Sequence, residues 1–190
     1  MMDWMIRRRD VLGACAAGAA ATGLGSFLLR MPRAHYGVTL VEESAVPESC
    51  QFASALAVGG SVDKVIRIDR SLNGLLEELE APVGMIVGLT SDPAAMIAGM
   101  VLSHRGAYSR LLWQHHYTDS RWVHRTVGEA RLLEAAAHDW PVAVAQKLRD
   151  AVDGRSEPSA NICTSAECSL PDSSPGMLTS WVYELEGHRS

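Results

Sequence analysis

Residues 83–104 read VGMIVGLTSDPAAMIAGMVLSH, an apolar run followed at once by helix-start signals. Val83 to Leu89 is the most apolar strand candidate in the chain and suits a central position covered on both faces. Ser91 or Asp92 can cap the helix that follows. Pro93 falls in its first turn, where the missing N–H costs nothing. Met96, Ile97, Met100 and Val101 recur at i, i+1, i+4 and i+5, which predicts one apolar face turned to the core.

The same alternation extends on both sides. YGVTLVEES (36–44) reads as a strand, and VPESCQFASALAVGG (46–60) as a helix with Pro47 in its first turn and Gly59-Gly60 as its stop. KVIRID (64–69) is a second strand, and LNGLLEELEAP (72–82) a short helix before Pro82. Downstream, SRLLWQHHYTDSRWVHRTV (109–127) predicts a hairpin turning at Thr118-Asp119-Ser120. EARLLEAAAHDW and PVAVAQKLRDAV are helical, broken at Pro141, and MLTSWVYELE (177–186) is a terminal strand. Residues 154–176 are expected to form a long polar loop, and a loop of that length is usually functional or mobile. Strand and helix alternate three times before the hairpin, so the fold class expected for residues 35–190 is a single layered α/β domain. Its sheet should be partly parallel. No internal repeat or second-domain boundary is visible.

The 190 residues are 47% hydrophobic and 21% charged, which is ordinary for a globular protein. Charge is unevenly placed. Arg7, Arg8, Arg9, Arg30 and Arg33 take five of the 17 basic residues, whereas Asp3 and Asp10 take two of the 22 acidic ones. From Ala34 onward 12 basic residues stand against 20 acidic ones, a net charge of −8. An acidic body argues against nucleic acid, which needs clustered Lys and Arg, and against docking on anionic lipid.

The arginines introduce RRRDVLGACAAGAAATGLGSFLLRMPRA, residues 7–34. Val11 to Leu29 carries no charge, yet its many Gly and Ala residues make it weakly apolar for a membrane span. The stretch resembles a twin-arginine export signal, with Arg8 and Arg9 as the pair and Val11 and Leu12 as the apolar positions. That resemblance implies the twin-arginine export machinery as a partner, folding before export, and a periplasmic or otherwise extracytoplasmic body. Residues 1–34 are then either a signal peptide or an uncleaved anchor that holds the membrane through residues 11–29 alone. Pro32 and Arg33 make a poor cleavage site before Ala34. LGAC (12–15) lies too close to the arginines for lipoprotein processing.

Three sets of side chains are candidates for chemistry. In open α/β sheets ligands lie beyond the carboxyl ends of parallel strands, which points to Glu43 after the first strand and to Thr90, Ser91 and Asp92 after the central one. The helix start at Ser91 offers free N–H groups to an anion, although plain capping explains the same residues. Cys163 and Cys168 could form a disulfide across four residues and tie down the polar loop; free thiols, a metal site or a redox pair remain as alternatives. Cys50 reads as a small helix residue facing the interior. Trp113, His115, Tyr117, Trp122 and His124 cluster on the hairpin and suit a partner surface if the hairpin is an edge. His115 and His116 point to opposite faces and cannot easily share a metal, but one of them can pair with His124 across the strands. Cross-strand packing is the simpler account of that pair. No metal set is assigned and no cofactor is named. No C-x-x-C-H run exists, which excludes covalent haem on this chain.

PESCQFASALAVGG, GMIVGLTSDPAAMI and LTSWVYEL, together with the leader, resemble a group of uncharacterised proteobacterial twin-arginine (Tat) signal proteins of similar length. The resemblance implies the α/β fold and export, and carries over no functional residues. The Cys163–Cys168 loop departs from it.

The first expectation for function is an exported accessory protein without catalysis of its own, associated with a larger periplasmic or membrane-bound redox enzyme. The second is a small enzyme or ligand-binding protein with its site near Glu43, Thr90, Ser91 and Asp92. A thiol redox protein using Cys163 and Cys168 is the third.

Overall fold

Apolar runs that need cover on both faces settle which strands lie inside the sheet. The computed structural model describes residues 37–58, 60, 62–79, 84–127, 133, 135–151, 158–163 and 170–185. Along the chain come β1 (Val38–Glu43), α1 (Pro47–Ala57), β2 (Val62–Ile68), α2 (Asn73–Glu78), β3 (Met85–Ser91) and α3 (Asp92–His104). They are followed by β4 (Tyr108–Thr118), β5 (Arg121–Val127), a 3-10 turn (Ala137–Asp139), α4 (Trp140–Ala151), β6 (Pro158–Cys163) and β7 (Met177–Glu184). One mixed sheet holds the seven described strands in the order β2-β1-β3-β7-β4-β5-β6. The expected α/β class with a partly parallel sheet is the architecture observed.

β1 is parallel to both β2 and β3, and the rest of the sheet is antiparallel. The step from β1 to β2 and the step from β2 to β3 run in opposite directions along the sheet. With the handedness that such crossovers keep, their helices must fall on opposite faces. They do: Phe52, Ala53 and Leu56 of α1 pack with Leu40, Val87 and Leu89 on one face. Leu75 of α2 and Ala94, Ala98 and Leu102 of α3 pack with Val41, Ile66 and Ile86 on the other. α4 joins α1, and Gln51 Nε2 donates to Asp139 Oδ1 (3.0 Å) where α4 begins.

The terminal strand is the seam of the molecule. β7 runs antiparallel to β3 on one side and to β4 on the other, and Leu178 to Tyr183 are all buried. Trp181 lies opposite Gly88, and a β-carbon at position 88 would come within 2.6 Å of the indole. Only glycine lets the ring lie across β3. Its Nε1 donates to Thr90 Oγ1 (3.1 Å), so the one polar atom of the ring is satisfied in the core.

Four expectations are corrected. α3 turns Ala94, Ala95, Ala98 and Leu102 to the sheet and leaves Met96 and Met100 60% and 68% exposed. Trp181 and Tyr183 already fill that layer, and a β-carbon on Gly99 would sit 2.6 Å from the Tyr183 hydroxyl. Only a small-residue face can approach so closely. Within the stretch expected to be a polar loop, Pro158–Cys163 forms β6 and pairs with β5. The hairpin is therefore not an edge; its turn, Asp119-Ser120, has positive φ at both residues, as a two-residue hairpin turn requires. The helical break falls at the 3-10 turn, ahead of Pro141, which lies in the first turn of α4.

Gly88→Ala should lower unfolding stability by about 1–3 kcal/mol, as overpacking of a filled core does. An unchanged urea midpoint would show that Trp181 is free to move aside.

Candidate functional site

Because α1 and α3 leave on opposite faces, the chain diverges at the carboxyl ends of β1 and β3 and opens a crevice there. Glu43 ends β1 and Ser91 ends β3. The Glu43 carboxylate, 5% exposed, bridges them: Ser91 N–H donates to Oε2 (2.7 Å) and Ser91 Oγ to Oε1 (3.1 Å). Ser91 is the N-cap residue of α3 but makes no capping bond with its side chain. A carboxylate from the neighbouring strand takes that place, at the end of the helix where the peptide dipoles favour negative charge. Glu43 N–H in turn donates to Ser49 Oγ (2.8 Å) in the first turn of α1.

Above this bridge lies a cleft of about 440 Å³, lined by Glu43, Ala45, Val46, Arg70, Leu72, Ser91 and Pro93, and by the segment Asp172–Pro175. The structure thus brings Glu43 and Ser91 together, as the carboxyl-end rule expects. Thr90 is fully buried and engaged with Trp181, and Asp92 Oδ1 accepts a bond from Thr179 Oγ1 (3.2 Å). Those two side chains are occupied by the core and do not line the cleft.

Glu48 was legible only as a first-turn acid of α1. It is 4% exposed, and neither carboxylate oxygen has a hydrogen-bond partner of regular geometry. Burial pushes its carboxyl above the usual range, although nearby backbone and Ser174 oppose the shift. Arg70 follows β2, so the carboxyl-end rule that selects Glu43 selects it too. The residues Asp172–Pro175 come from the far end of the chain, and no local signal links them to Glu43.

The hairpin forms a second polar centre. His115 and His124 are directly opposed on β4 and β5 and fully buried. Their Nδ1 atoms are 2.8 Å apart, so one carries the proton and donates to the other. His115 Nε2 lies 2.7 Å from Ser180 Oγ on β7. Trp140 packs 4.5 and 4.9 Å from the two imidazole rings. Burial lowers both histidines: His115 falls well below its ordinary value, with the charge of His124 adding to the effect, and His124 falls to about 4. His124 Nε2 and Trp113 Nε1 have no partner.

The contact surface expected of the hairpin is accordingly not formed by Trp113, His115, Trp122 and His124, which are all within the core, and Tyr117 is half-buried. The reason is pleat alternation under α4: odd positions of β4 and even positions of β5 point inward together. Among the described residues no three His, Cys, Asp or Glu side chains stand together as a metal-ligand set. Cys50 is half-buried beside the Glu43 and Ser44 carbonyls, and burial raises its thiol, which disfavours the reactive thiolate. Cys163 ends β6, whereas Cys168 and the leader residues Arg8, Arg9 and Leu12 lie outside the described residues. Among the described residues no helix is long and apolar enough to cross a membrane. Comparison with protein-family models, curated proteins and solved structures returns no match.

A histidine lowered in the folded state binds its proton more readily once unfolded, so acid favours unfolding. Stability should be full near pH 7 and fall as pH drops below about 6.5 toward 4, by at most about 1.4 kcal/mol per pH unit for each imidazole. Glu48, raised in the folded state, acts in the opposite sense. Urea titrations at pH 7 and pH 5 check the sign, and His124→Gln should flatten the difference. An identical difference in that variant would exclude His124 as a contributor.

Proposed function

We propose that this protein binds a small polar molecule outside the cytoplasm, at the cleft beyond the carboxyl ends of β1 and β3. One observation carries the reading. The chain diverges at a reversal of strand order, and the cleft there is lined by a buried carboxylate, a serine and an arginine drawn from three different strand ends. Side chains from distant parts of the sequence converge there at the crevice where open sheets bind ligands. Extracytoplasmic location rests on the arginine-led leader and its resemblance to a twin-arginine signal. The leader also supplies the order of events, in which folding precedes export.

A second reading, an accessory subunit of a larger exported enzyme, keeps one supporting observation. The outer face of α3 presents Met96 and Met100 to solvent, and methionine is common at contact surfaces. Co-purification of a larger protein that is lost in Met96→Glu/Met100→Glu would favour it.

The binding reading is checked by amide NMR of the full chain titrated with a panel of small polar metabolites. Saturable shifts should cluster at Glu43, Ser91, Arg70 and Ser174, and should vanish in Ala45→Trp, which fills the cleft. Shifts elsewhere, or none, would refute it. Export is checked separately: Arg8→Lys/Arg9→Lys should leave the protein in the cytoplasm, and normal export of that variant would remove the twin-arginine route.

A further inference from the structure

The chemistry of the cleft narrows what it can hold, on the reading above that it is a ligand site. A helix start beside a crevice is ordinarily a place for an anion, because its free N–H groups and dipole attract negative charge. At α3 that anion is already supplied from within the chain. Both donors of Ser91 are directed at the Glu43 carboxylate, at 2.7 and 3.1 Å. What the deep end of the cleft offers a ligand is therefore lone pairs rather than N–H groups. Each Glu43 oxygen accepts one of these bonds and retains capacity for another.

Two further observations point the same way. Asp172 adds a second carboxylate at the exposed rim. Glu48 does not itself line the cleft, but its buried carboxyl lies beside the wall residue Ser174 and adds acceptor character there. Arg70, on the exposed surface, is the only cation among the described residues that line the cleft. Phosphate or another anion placed against Glu43 would meet like charge, and both Ser91 donors there are already engaged.

We infer that the cleft takes a small ligand bearing a primary ammonium group, seated against the Glu43 carboxylate, with Arg70 at the rim positioned for a carboxylate when the ligand is a zwitterion. The ammonium group supplies three donors to a site that otherwise presents acceptors. Simple amines and α-amino acids share this recognition and differ only in whether Arg70 contributes.

The test is amide NMR of the full chain with four probes at constant ionic strength: ethylammonium, glycine, acetate and inorganic phosphate. Ethylammonium and glycine should shift Glu43 and Ser91 saturably, and acetate and phosphate should not. Glu43→Gln keeps an acceptor for the Ser91 N–H and can turn its amide to donate to Ser91 Oγ, but removes the charge, and should weaken ammonium binding at least tenfold. Asp172→Asn, at an exposed residue whose loss leaves folding intact, should weaken it severalfold. Arg70→Gln should weaken glycine more than ethylammonium if the zwitterion is the ligand, and neither if it is a simple amine. Binding of acetate or phosphate at Glu43 would overturn the ammonium assignment while leaving a ligand site in place. Unchanged ammonium binding in Glu43→Gln would overturn it as well. Silence of all four probes and of the metabolite panel would overturn both readings together.

Discussion

The stacking of Trp181 across Gly88 is the constraint on which the rest of the structure depends. Three parallel strands end at β3, and a hairpin begins at β4, so the two halves share no edge until the last strand is inserted between them. β7 can fill that gap because β3 has no side chain where the indole must lie, and because Thr90 accepts the indole N–H. The same insertion sets the character of the opposite layer. With Trp181 and Tyr183 occupying it, α3 must approach with Ala94, Ala98 and Gly99, and its larger methionines are turned outward. One close contact thus decides a strand order, a helix orientation and the surface that helix presents.

Insertion of β7 also builds the histidine pair. Ser180 on β7, His115 on β4 and His124 on β5 form a chain of hydrogen bonds across three neighbouring strands. Polar groups so deeply buried contribute little net stability, since each loses its water, but a misregistered strand would leave them unpaired. The pair therefore acts as a check on register in the antiparallel half. In the parallel half the Glu43–Ser91 bridge does the comparable work, tying the ends of β1 and β3 where the chain would otherwise splay. That bridge also converts an anion-seeking helix start into a carboxylate-lined wall, which gives the cleft its chemical preference.

Much of the site was legible in advance, for a physical reason. Glu43 and Ser91 sit at the ends of runs whose apolar pattern marks them as parallel strands, and the crevice rule needs only that and the direction of the chain. Arg70 satisfies the same rule, following β2, although the reading from the first and central strands alone does not include it. Asp172–Pro175 and Glu48 could not be reached this way. Their place depends on contacts between segments more than a hundred residues apart, and on a burial that local pattern does not reveal. The aromatic hairpin shows the converse failure: composition alone suits a contact surface, whereas β6 and α4 cover it and make it core.

The sequence by itself determined most of the elements, the layered α/β class and the place of the hairpin, because each follows from local periodicity, capping residues or turn residues. Only the tertiary structure decided that the terminal strand is the seam, that α3 faces inward with its alanines, and that the helix start is sealed by Glu43. Those outcomes turn on volume and on the pairing of buried polar atoms. Both are properties of segments that meet only after the chain has closed on itself.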